Sequence, residues 1–236
     1  MQALKANIAE ISPLTEFVFK VALKPEQPAK FSAGQYLKLV LNKNDKRAFS
    51  IASRPSQLDL LELHIGVSAA DSYAQQSLDY LISHQNSNSQ VELEVGLGHS
   101  YLQENSNRPI ILLAGGTGFS YVKSMADHLT EVECDRPVFL YWGVKDISDL
   151  YALKEMQNWA NSSDNFNFIP VVEQAKTDWQ GATGFVHQAV MKDIISLESY
   201  DIYMAGRFDM IGIVRDDFIK KGASIEHMYA DAFAFI

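Results

Sequence analysis

Three glycines within four positions follow a short apolar run and precede a helical pattern. The run Ile110–Ala114 is rich in Ile and Leu and is typical of a buried strand. Glycines permit a tight turn and a close approach of backbone to ligand, and the N–H groups at a helix start attract phosphate. The pattern therefore predicts a nucleotide-binding turn made of Gly115, Gly116, Thr117, Gly118, Phe119 and Ser120. The alternative is a plain strand-to-helix turn without a ligand. It is not the dinucleotide fingerprint, because Tyr121 stands where the third glycine belongs.

Two stretches in the first part of the chain also suit a ligand. Arg47-Ala48-Phe49-Ser50 offers a bidentate phosphate donor, an aromatic face and a hydroxyl. Taken alone, these four residues are better explained as an exposed arginine beside a buried phenylalanine. In His64-Ile65-Gly66-Val67-Ser68, Gly66 allows backbone contact with a flat ligand, while a histidine on a strand, such as His64, is more often structural.

Composition excludes several classes of function. A net charge of -9 argues against bulk nucleic-acid binding and against docking on anionic membranes. Cys134 is the only cysteine, so no intramolecular disulfide and no cysteine-ligated iron–sulfur cluster can form. The histidines show no metal-ligand spacing, so no metal site is predicted, and there is no Gly-x-Ser-x-Gly elbow. Without a signal peptide or a membrane-spanning stretch, the default expectation is a soluble cytoplasmic protein.

The hydrophobic periods divide the chain into two parts. In the first part, the pattern predicts short strands separated by turns. One helix, capped by Asp71 or Ser72, interrupts them. The predicted strands are Phe17–Leu23, Tyr36–Leu41, Phe49–Ala52, Leu60–Ile65 and Val91–Val95. The second part alternates strands with helices, which indicates a parallel sheet; its strands are Ile110–Ala114, Val138–Trp142, Phe168–Val172, Asp201–Ala205 and one near Ile225–Met228, and its helices are Phe119–Thr130, Asp149–Asn161, Gly184–Ile195 and Phe208–Lys220. We place the domain boundary between residues 104 and 105, within a polar stretch that ends at Pro109.

Glycines follow three of the predicted parallel strands. Gly115-Gly116, Gly143 and Gly206 each come directly after a strand. Ligands of such sheets bind beyond the carboxyl ends of the strands. We therefore expect these glycines to lie at one ligand-binding edge.

Taken together and in order, these motifs resemble the ferredoxin–NADP reductase superfamily. The closest resemblance is to its NAD(P)H–flavin reductases, the Fre enzymes and their LuxG relatives. The motifs that carry it are Ala33-Gly34-Gln35-Tyr36, Arg47-Ala48-Phe49-Ser50, Glu62 to Gly66, Ala114 to Ser120, Tyr141-Trp142-Gly143, Ala205-Gly206-Arg207-Phe208 and Asp231 to Ile236. The resemblance implies an antiparallel flavin-binding β-barrel, residues 1–104, followed by an NAD(P)-binding α/β domain with a parallel sheet, residues 105–236.

The resemblance also implies roles for individual residues. Phe49 would lie against the flavin ring, and the Ser50 hydroxyl, as the catalytic residue, would bond near flavin N5. The implied flavin-binding residues are Tyr36, Arg47, Ala48, Phe49, Ser50, His64, Ile65, Gly66, Val67 and Ser68. The implied NAD(P)-binding residues are Gly115, Gly116, Thr117, Gly118, Phe119, Ser120, Trp142, Gly143, Gly206, Arg207, Phe208, Asp231 and Phe233.

Several positions depart from the family's pattern. Phe49 replaces the usual tyrosine, and Ala205 and Arg207 replace the cysteine and proline of a Cys-Gly-Pro motif. No glycine occurs from Asp71 to Gln76, where FAD-retaining members hold the pyrophosphate. Only a single, solvent-facing Arg47 is then expected to contact phosphate, so FAD should be held weakly.

The implied activity is reduction of free riboflavin, FMN or FAD by NADH or NADPH, with hydride passing from nicotinamide C4 to flavin N5. The reduced flavin would supply a monooxygenase, a luciferase or ferric iron. Two alternatives stay open: an FAD-containing electron-transfer subunit of an oxygenase system, and a non-enzymatic flavin or nucleotide sensor. The sequence leaves open the preferred nicotinamide cofactor, the preferred flavin, the oligomeric state and the user of the reduced flavin.

Overall fold

A computed structural model describes residues 1–67, 72–175 and 178–236 of the 236-residue chain. Ser68 and Asp71, two positions to which the sequence assigns roles, lie outside the described residues. The chain divides into two compact units, Met1–Tyr101 with Lys123–His128, and Leu102–Val122 with Leu129–Ile236. Within the described ranges, no helix has both the length and the apolar character needed to cross a membrane.

The first unit is built on a curled antiparallel sheet of six strands in the order β4-β3-β6-β1-β2-β5. Its strands are β1 (Gln2–Pro13), β2 (Val18–Pro25), β3 (Tyr36–Asn42), β4 (Asp45–Ser50), β5 (Leu61–Gly66) and β6 (Val91–Leu97), and its helix is α1 (Ser72–Asn86). The two edges approach each other just after β4, where the Ala52 N–H donates to the Glu62 carbonyl of β5 at 2.7 Å. Alternate apolar residues of the strands pack with α1 residues Leu78 and Leu81 in one core.

The second unit is built on a parallel sheet of six strands in the order β10-β9-β8-β7-β11-β12. Its strands are β7 (Ile110–Gly115), β8 (Val138–Val144), β9 (Phe166–Val172), β10 (Ala182–Thr183), β11 (Asp201–Ala205) and β12 (Met228–Tyr229). The helices that follow β7 are α2 (Phe119–Glu131), α3 (Leu153–Ala160), α4 (Val186–Asp193) and α5 (Phe208–Lys220). The central strands β7 and β11 are almost continuously apolar, as expected of strands buried on both faces. Antiparallel sheet first and parallel α/β unit second is the fold class that the sequence predicts.

A buried charge network holds the amino edge of the parallel sheet. Asp201, at the start of β11, is fully buried and accepts from Arg136 Nη2 at 2.8 Å. Its other oxygen lies 3.0 Å from His227 Nδ1 and 3.4 Å from Arg108 Nε. Since these residues precede β8, β12 and β7, one carboxylate ties four strand starts together. The structural charges are therefore at the edge opposite the glycine turns.

Some element bounds differ from the sequence prediction. β1 was missed, although Leu4, Ala6 and Ile8 alternate with other residues. β4 runs over Asp45–Ser50 and not over 49–52, because Asn42 and Asp45 pair across a two-residue hairpin turn in which Asn42 Oδ1 accepts from the Asn44 N–H. Other differences include the short strand β10, which was not predicted, α3, which begins only at Leu153 after a 3-10 turn at Ile147–Asp149, α4, which is shorter than predicted at both ends, and the last strand, which is Met228–Tyr229.

Candidate functional site

The carboxyl end of β4 presents a serine next to a tyrosine on its partner strand. Ser50 is directly opposite Tyr36 in the β3–β4 register, and both residues are half-buried. The part of the chain that the structure describes forms no hydrogen bond with the Ser50 hydroxyl. A half-buried hydroxyl of this kind at the edge of a sheet is suited to bond an external ligand.

Arg47 of β4 is buried by protein and is not solvent-facing, contrary to the expectation from sequence. Its exposed fraction is 6%. Nε and Nη2 bind the two Asp45 oxygens at 2.9 and 2.8 Å, and Nη2 also donates to Gln76 Oε1 at 2.7 Å. Nη1 donates to the Tyr73 carbonyl at 2.5 Å and lies 3.5 Å from Ser77 Oγ. The hydrogen bond from Arg47 lowers the pKa of the Asp45 carboxyl from its ordinary value.

Tyr73, in the first turn of α1, covers the exposed edge of β4. Its hydroxyl accepts from the Ala48 N–H at 2.7 Å, and its ring centroid lies 4.8 Å from the Arg47 guanidinium carbon. The Phe49 ring is tilted against it at 6.1 Å between centroids. Tyr73 therefore contacts three consecutive residues of the motif to which the family resemblance assigns flavin binding. Sequence reasoning missed these contacts, since nothing local links Tyr73 to β4.

The end of β5 carries a hydrogen-bonded side-chain pair, and part of its backbone is already bonded within the protein. His64 Nε2 lies 2.8 Å from Glu62 Oε1, on the same side of the strand. Burial opposes ionisation of Glu62, but the His64 hydrogen bond and the Lys123 charge outweigh it, so the pKa of this carboxyl lies below its ordinary value. The Val67 N–H donates to the Phe17 carbonyl at 2.7 Å. The His64 side chain therefore has a protein partner, and the Val67 N–H is already bonded to the Phe17 carbonyl.

The glycine turn after β7 contains one position that is open and one that is crowded. Gly116 has φ +54°, and a Cβ at this position would meet nothing within 4 Å. Gly118 has no such room, because a Cβ there would lie 2.4 Å from the Ala205 carbonyl oxygen. Ser120 is buried, and its hydroxyl donates to the Thr117 carbonyl at 3.1 Å, within the start of α2. The turn therefore leaves its open backbone at Gly116 for a ligand.

The predicted nucleotide-binding glycines do come together at the carboxyl edge of the sheet. Gly115 and Gly143 are paired across β7 and β8. A Cβ on Gly206 would lie 3.6 Å from the Gly115 Cα, and Met210 packs against both of these glycines. In Gly143, a Cβ would collide with Val186 at 2.6 Å. Packing alone therefore requires several of these glycines, whether or not a ligand binds beside them.

Phe119 and Trp142 are completely buried and pack against the glycine turn from the interior of the unit. Their rings stack at 3.9 Å and 14°, and Tyr151 packs edge-on against both. Trp142 Nε1 donates to the Gly116 carbonyl at 2.9 Å. With no exposed surface, these two rings can influence a nucleotide only through the position of the turn. Sequence reasoning missed Tyr151, whose aromatic side chain two residues before α3 was the available signal.

The C-terminal residues lie beside the start of α5. Phe235 stacks on Phe208 at 5.2 Å and 11°, and both rings are more than half exposed. Arg207 is exposed, and its guanidinium binds Asp209 through Nε and Nη2, which lowers the pKa of the Asp209 carboxyl. Asp231 and Phe233 lie in a 3-10 turn, Asp231–Ala234, and are half-buried. This edge therefore offers exposed aromatic faces and one cation, groups that suit a nucleotide.

Comparisons with known proteins agree with this architecture. A family model described as an oxidoreductase NAD-binding domain matches residues 112–216. An NAD(P)H-flavin reductase of Vibrio harveyi is 44% identical over 235 residues, 99% of each chain, and one of Aliivibrio fischeri is 41% identical over 235 residues, again 99% of each. The solved structure of Amycolatopsis cytochrome P450 reductase GcoB is similar at a TM-score of 0.87 and 25% identity, covering 98% of this chain and 69% of that one. By full-length identity, fold and ordered motifs, the chain belongs to the NAD(P)H–flavin reductases of the ferredoxin–NADP reductase superfamily.

Proposed function

We infer that this chain is an NAD(P)H-dependent flavin reductase. The observation that carries the inference is the full-length identity of 44% to a relative named for this activity. The glycines gathered at the carboxyl edge of the parallel sheet fit a nicotinamide nucleotide, because Gly116 leaves backbone open to a phosphate. Flavin and NAD(P)H are then small-molecule substrates.

We propose that Ser50 is the group of this chain that acts on the reacting flavin atom. When both substrates are bound, the reduced nicotinamide supplies a hydride and the flavin accepts it. The Ser50 hydroxyl has no competing partner among the described residues, so it is available to hydrogen-bond flavin N5, where charge changes during transfer. Tyr36, directly opposite, and Phe49, the preceding residue, would flank the ring. These residues would contribute by orienting the flavin ring, and correct orientation of the two reactants accounts for most of the catalysis that a protein provides to hydride transfer.

The proposed nucleotide-binding residues are of two kinds: those that would touch the nucleotide, and those that would only hold the glycine turn in place. Gly116 and Thr117 are at least partly exposed and would bind through their backbone N–H groups. Arg207 and Phe208, which directly follow Gly206, are exposed and would contact the nucleotide with their side chains. Phe119 and Trp142 are buried and would only hold the turn.

The test is steady-state oxidation of NADH and of NADPH in the presence of riboflavin, FMN or FAD. We expect saturable dependence on free flavin, and protein that is nearly colourless after gel filtration with FAD. Stoichiometric yellow flavin surviving that column would support the electron-transfer alternative, which the relatives do not favour. Absence of oxidation with every flavin would leave the sensor alternative and overturn the proposal.

The use of the reduced flavin is the less direct part of the proposal. The relatives from Vibrio harveyi and Aliivibrio fischeri are consistent with delivery to a luciferase or a monooxygenase. A coupled assay in which such an acceptor receives flavin only by diffusion would show this transfer. A cytoplasmic location, expected from the sequence, stays a prediction.

A further inference from the structure

Every N–H donor of Arg47 is directed at an acceptor of the protein. A guanidinium has five N–H groups in a fixed plane. The Nε–H and one Nη2–H bind Asp45, the second Nη2–H binds Gln76, and the Nη1 hydrogens bind the Tyr73 carbonyl and, at the longer distance of 3.5 Å, Ser77 Oγ. A bidentate bond to a flavin phosphate would require breaking at least two of these bonds.

The acceptors come from two elements, which gives the arrangement a mechanical consequence. Asp45 lies on β4 itself, two residues before Arg47, whereas Tyr73, Gln76 and Ser77 form the first turns of α1. Arg47 thus joins the helix start to the edge strand. The Tyr73 hydroxyl adds a second link, to the Ala48 N–H at 2.7 Å. Both links lie immediately before Phe49 and Ser50, so they set the position of the strand end that is proposed to hold the flavin ring.

We infer that Arg47 is a positioning residue that clamps α1 onto β4, and that the flavin phosphate is not one of its ligands. The inference rests on the proposed function. It follows that flavin recognition is confined to the ring and ribityl chain, which riboflavin, FMN and FAD share. The ring of Tyr73 over the guanidinium closes one face of the cation to a phosphate, in addition to the occupied donors.

A pair of substitutions separates clamping from phosphate binding. Lysine keeps the charge that would attract a phosphate but cannot reproduce the forked bonds to Asp45, Tyr73 and Gln76. We therefore expect Arg47→Lys and Arg47→Gln to raise the KM of riboflavin, FMN and FAD by a common factor, roughly tenfold. The KM for NADH should not change. A raised flavin KM distinguishes a displaced flavin site from a simple loss of folded enzyme, which would lower the apparent kcat and leave both KM values unchanged. Loss of FMN and FAD reduction with riboflavin spared, and rescue by lysine, would overturn the inference.

A second variant tests the same point without removing the arginine. Asp45→Ala combined with Gln76→Ala removes the acceptors of three Arg47 hydrogen bonds and retains the charge of Arg47. If occupied donors exclude the phosphate, the KM of FMN should fall relative to that of riboflavin, by about fivefold. Asp59→Asn, which removes an exposed carboxylate elsewhere in the unit, is the control for the change in net charge. An unchanged FMN-to-riboflavin ratio in the double variant would overturn the inference.

The two proposals fail in different ways. If the wild-type protein does not oxidise NAD(P)H with any of the three flavins, the proposed function fails. If the wild-type protein is active but the Arg47 variants discriminate between phosphorylated and unphosphorylated flavins, only the role of Arg47 fails. Circular dichroism establishes that each variant is folded, and the double variant decides the matter should the Arg47 variants not fold.

Discussion

At the residue scale, Ser50 and Arg47 stand three positions apart on one strand and have opposite environments. The Ser50 hydroxyl has no hydrogen-bond partner among the described residues, whereas the N–H groups of Arg47 donate to protein acceptors. A half-buried polar group without a protein partner is available to bond a ligand, whereas a group whose hydrogen bonds are all made within the protein contributes to the structure. The two residues of the motif are therefore expected to respond differently to substitution.

Ser50→Ala should lower kcat for flavin reduction by roughly tenfold or more while the flavin KM changes by less than about twofold, because a bond made mainly in the transition state affects kcat. Ser50→Thr keeps a hydroxyl on a residue that strands favour, and should recover most of the activity. Steady-state kinetics of both variants with riboflavin is the measurement. Equal kcat in wild type and Ser50→Ala would remove Ser50 from the mechanism.

Gly116→Val should raise the KM of NADH by about tenfold or more and spare flavin binding. A branched side chain would occupy the open space at this turn and would resist the φ of +54°. Gly222→Val is the matched control, since Gly222 has φ +95° at the far end of α5, away from the carboxyl edge. If both variants bind NADH as the wild type does, the nucleotide turn has been assigned to the wrong place.

At the scale of elements, an aromatic cluster links β8 to the turn and to the start of α2. Phe119 belongs to the helix, Trp142 to the strand, and Tyr151 to the segment before α3. The indole N–H bond to the Gly116 carbonyl transmits the position of the strand to the open backbone of the turn. The proposed nucleotide site is therefore supported by a layer of buried aromatic side chains that would not themselves contact the nucleotide.

Trp142→Phe should weaken NADH binding by about fivefold and cost roughly 1 kcal/mol of stability, because the ring stack survives but the bond to Gly116 is lost. Trp159→Phe makes the same chemical change in a stack on Phe166, and should leave the KM of NADH unaltered. NADH titration and denaturant unfolding are the two measurements. An NADH KM that moves equally in both variants would show a general loss of packing and not a role for this bond.

At the scale of the whole molecule, buried tyrosines make stability dependent on alkaline pH. Burial raises the pKa of Tyr121 and of Tyr203 above the ordinary value of 10.0. The folded state therefore retains phenolic protons that the unfolded chain releases. The contribution of these tyrosines to stability should be constant below about pH 10 and fall as the pH rises further, by up to about 1.4 kcal/mol per pH unit for each group.

Urea unfolding at a series of pH values from about 8 to 11 measures this effect, with tyrosinate absorbance recorded on the same samples. Tyrosinate from these residues should appear only as the protein unfolds. Tyr203→Phe removes one ionising group and should make the fall of stability with pH shallower. A free energy of unfolding that does not change through pH 11 would contradict the assignment of these phenols to a buried, protonated state.

Much of the fold was predictable because it depends on local patterns. The strands β7, β8 and β11 are continuous apolar runs, and the glycines that follow them mark the carboxyl edge. The alternation of strand and helix then implies the parallel sheet. β1 and the bounds of β4 were not predicted, since short residues and a polar hairpin give a weak strand signal.

By itself, the sequence determined the order of the two units, the edge at which the glycine turns meet, and the motifs that resemble a flavin reductase. These depend on periodicity and on residues close together in the chain. Only the tertiary structure decided what Arg47 binds, because Tyr73 and Gln76 are remote in sequence and reach it through the docking of α1. The same holds for Gly118, whose lack of a side chain is required by the Ala205 carbonyl of a neighbouring strand. A donor is satisfied and a space is filled by whatever the fold brings near, and that proximity is a property of the folded chain.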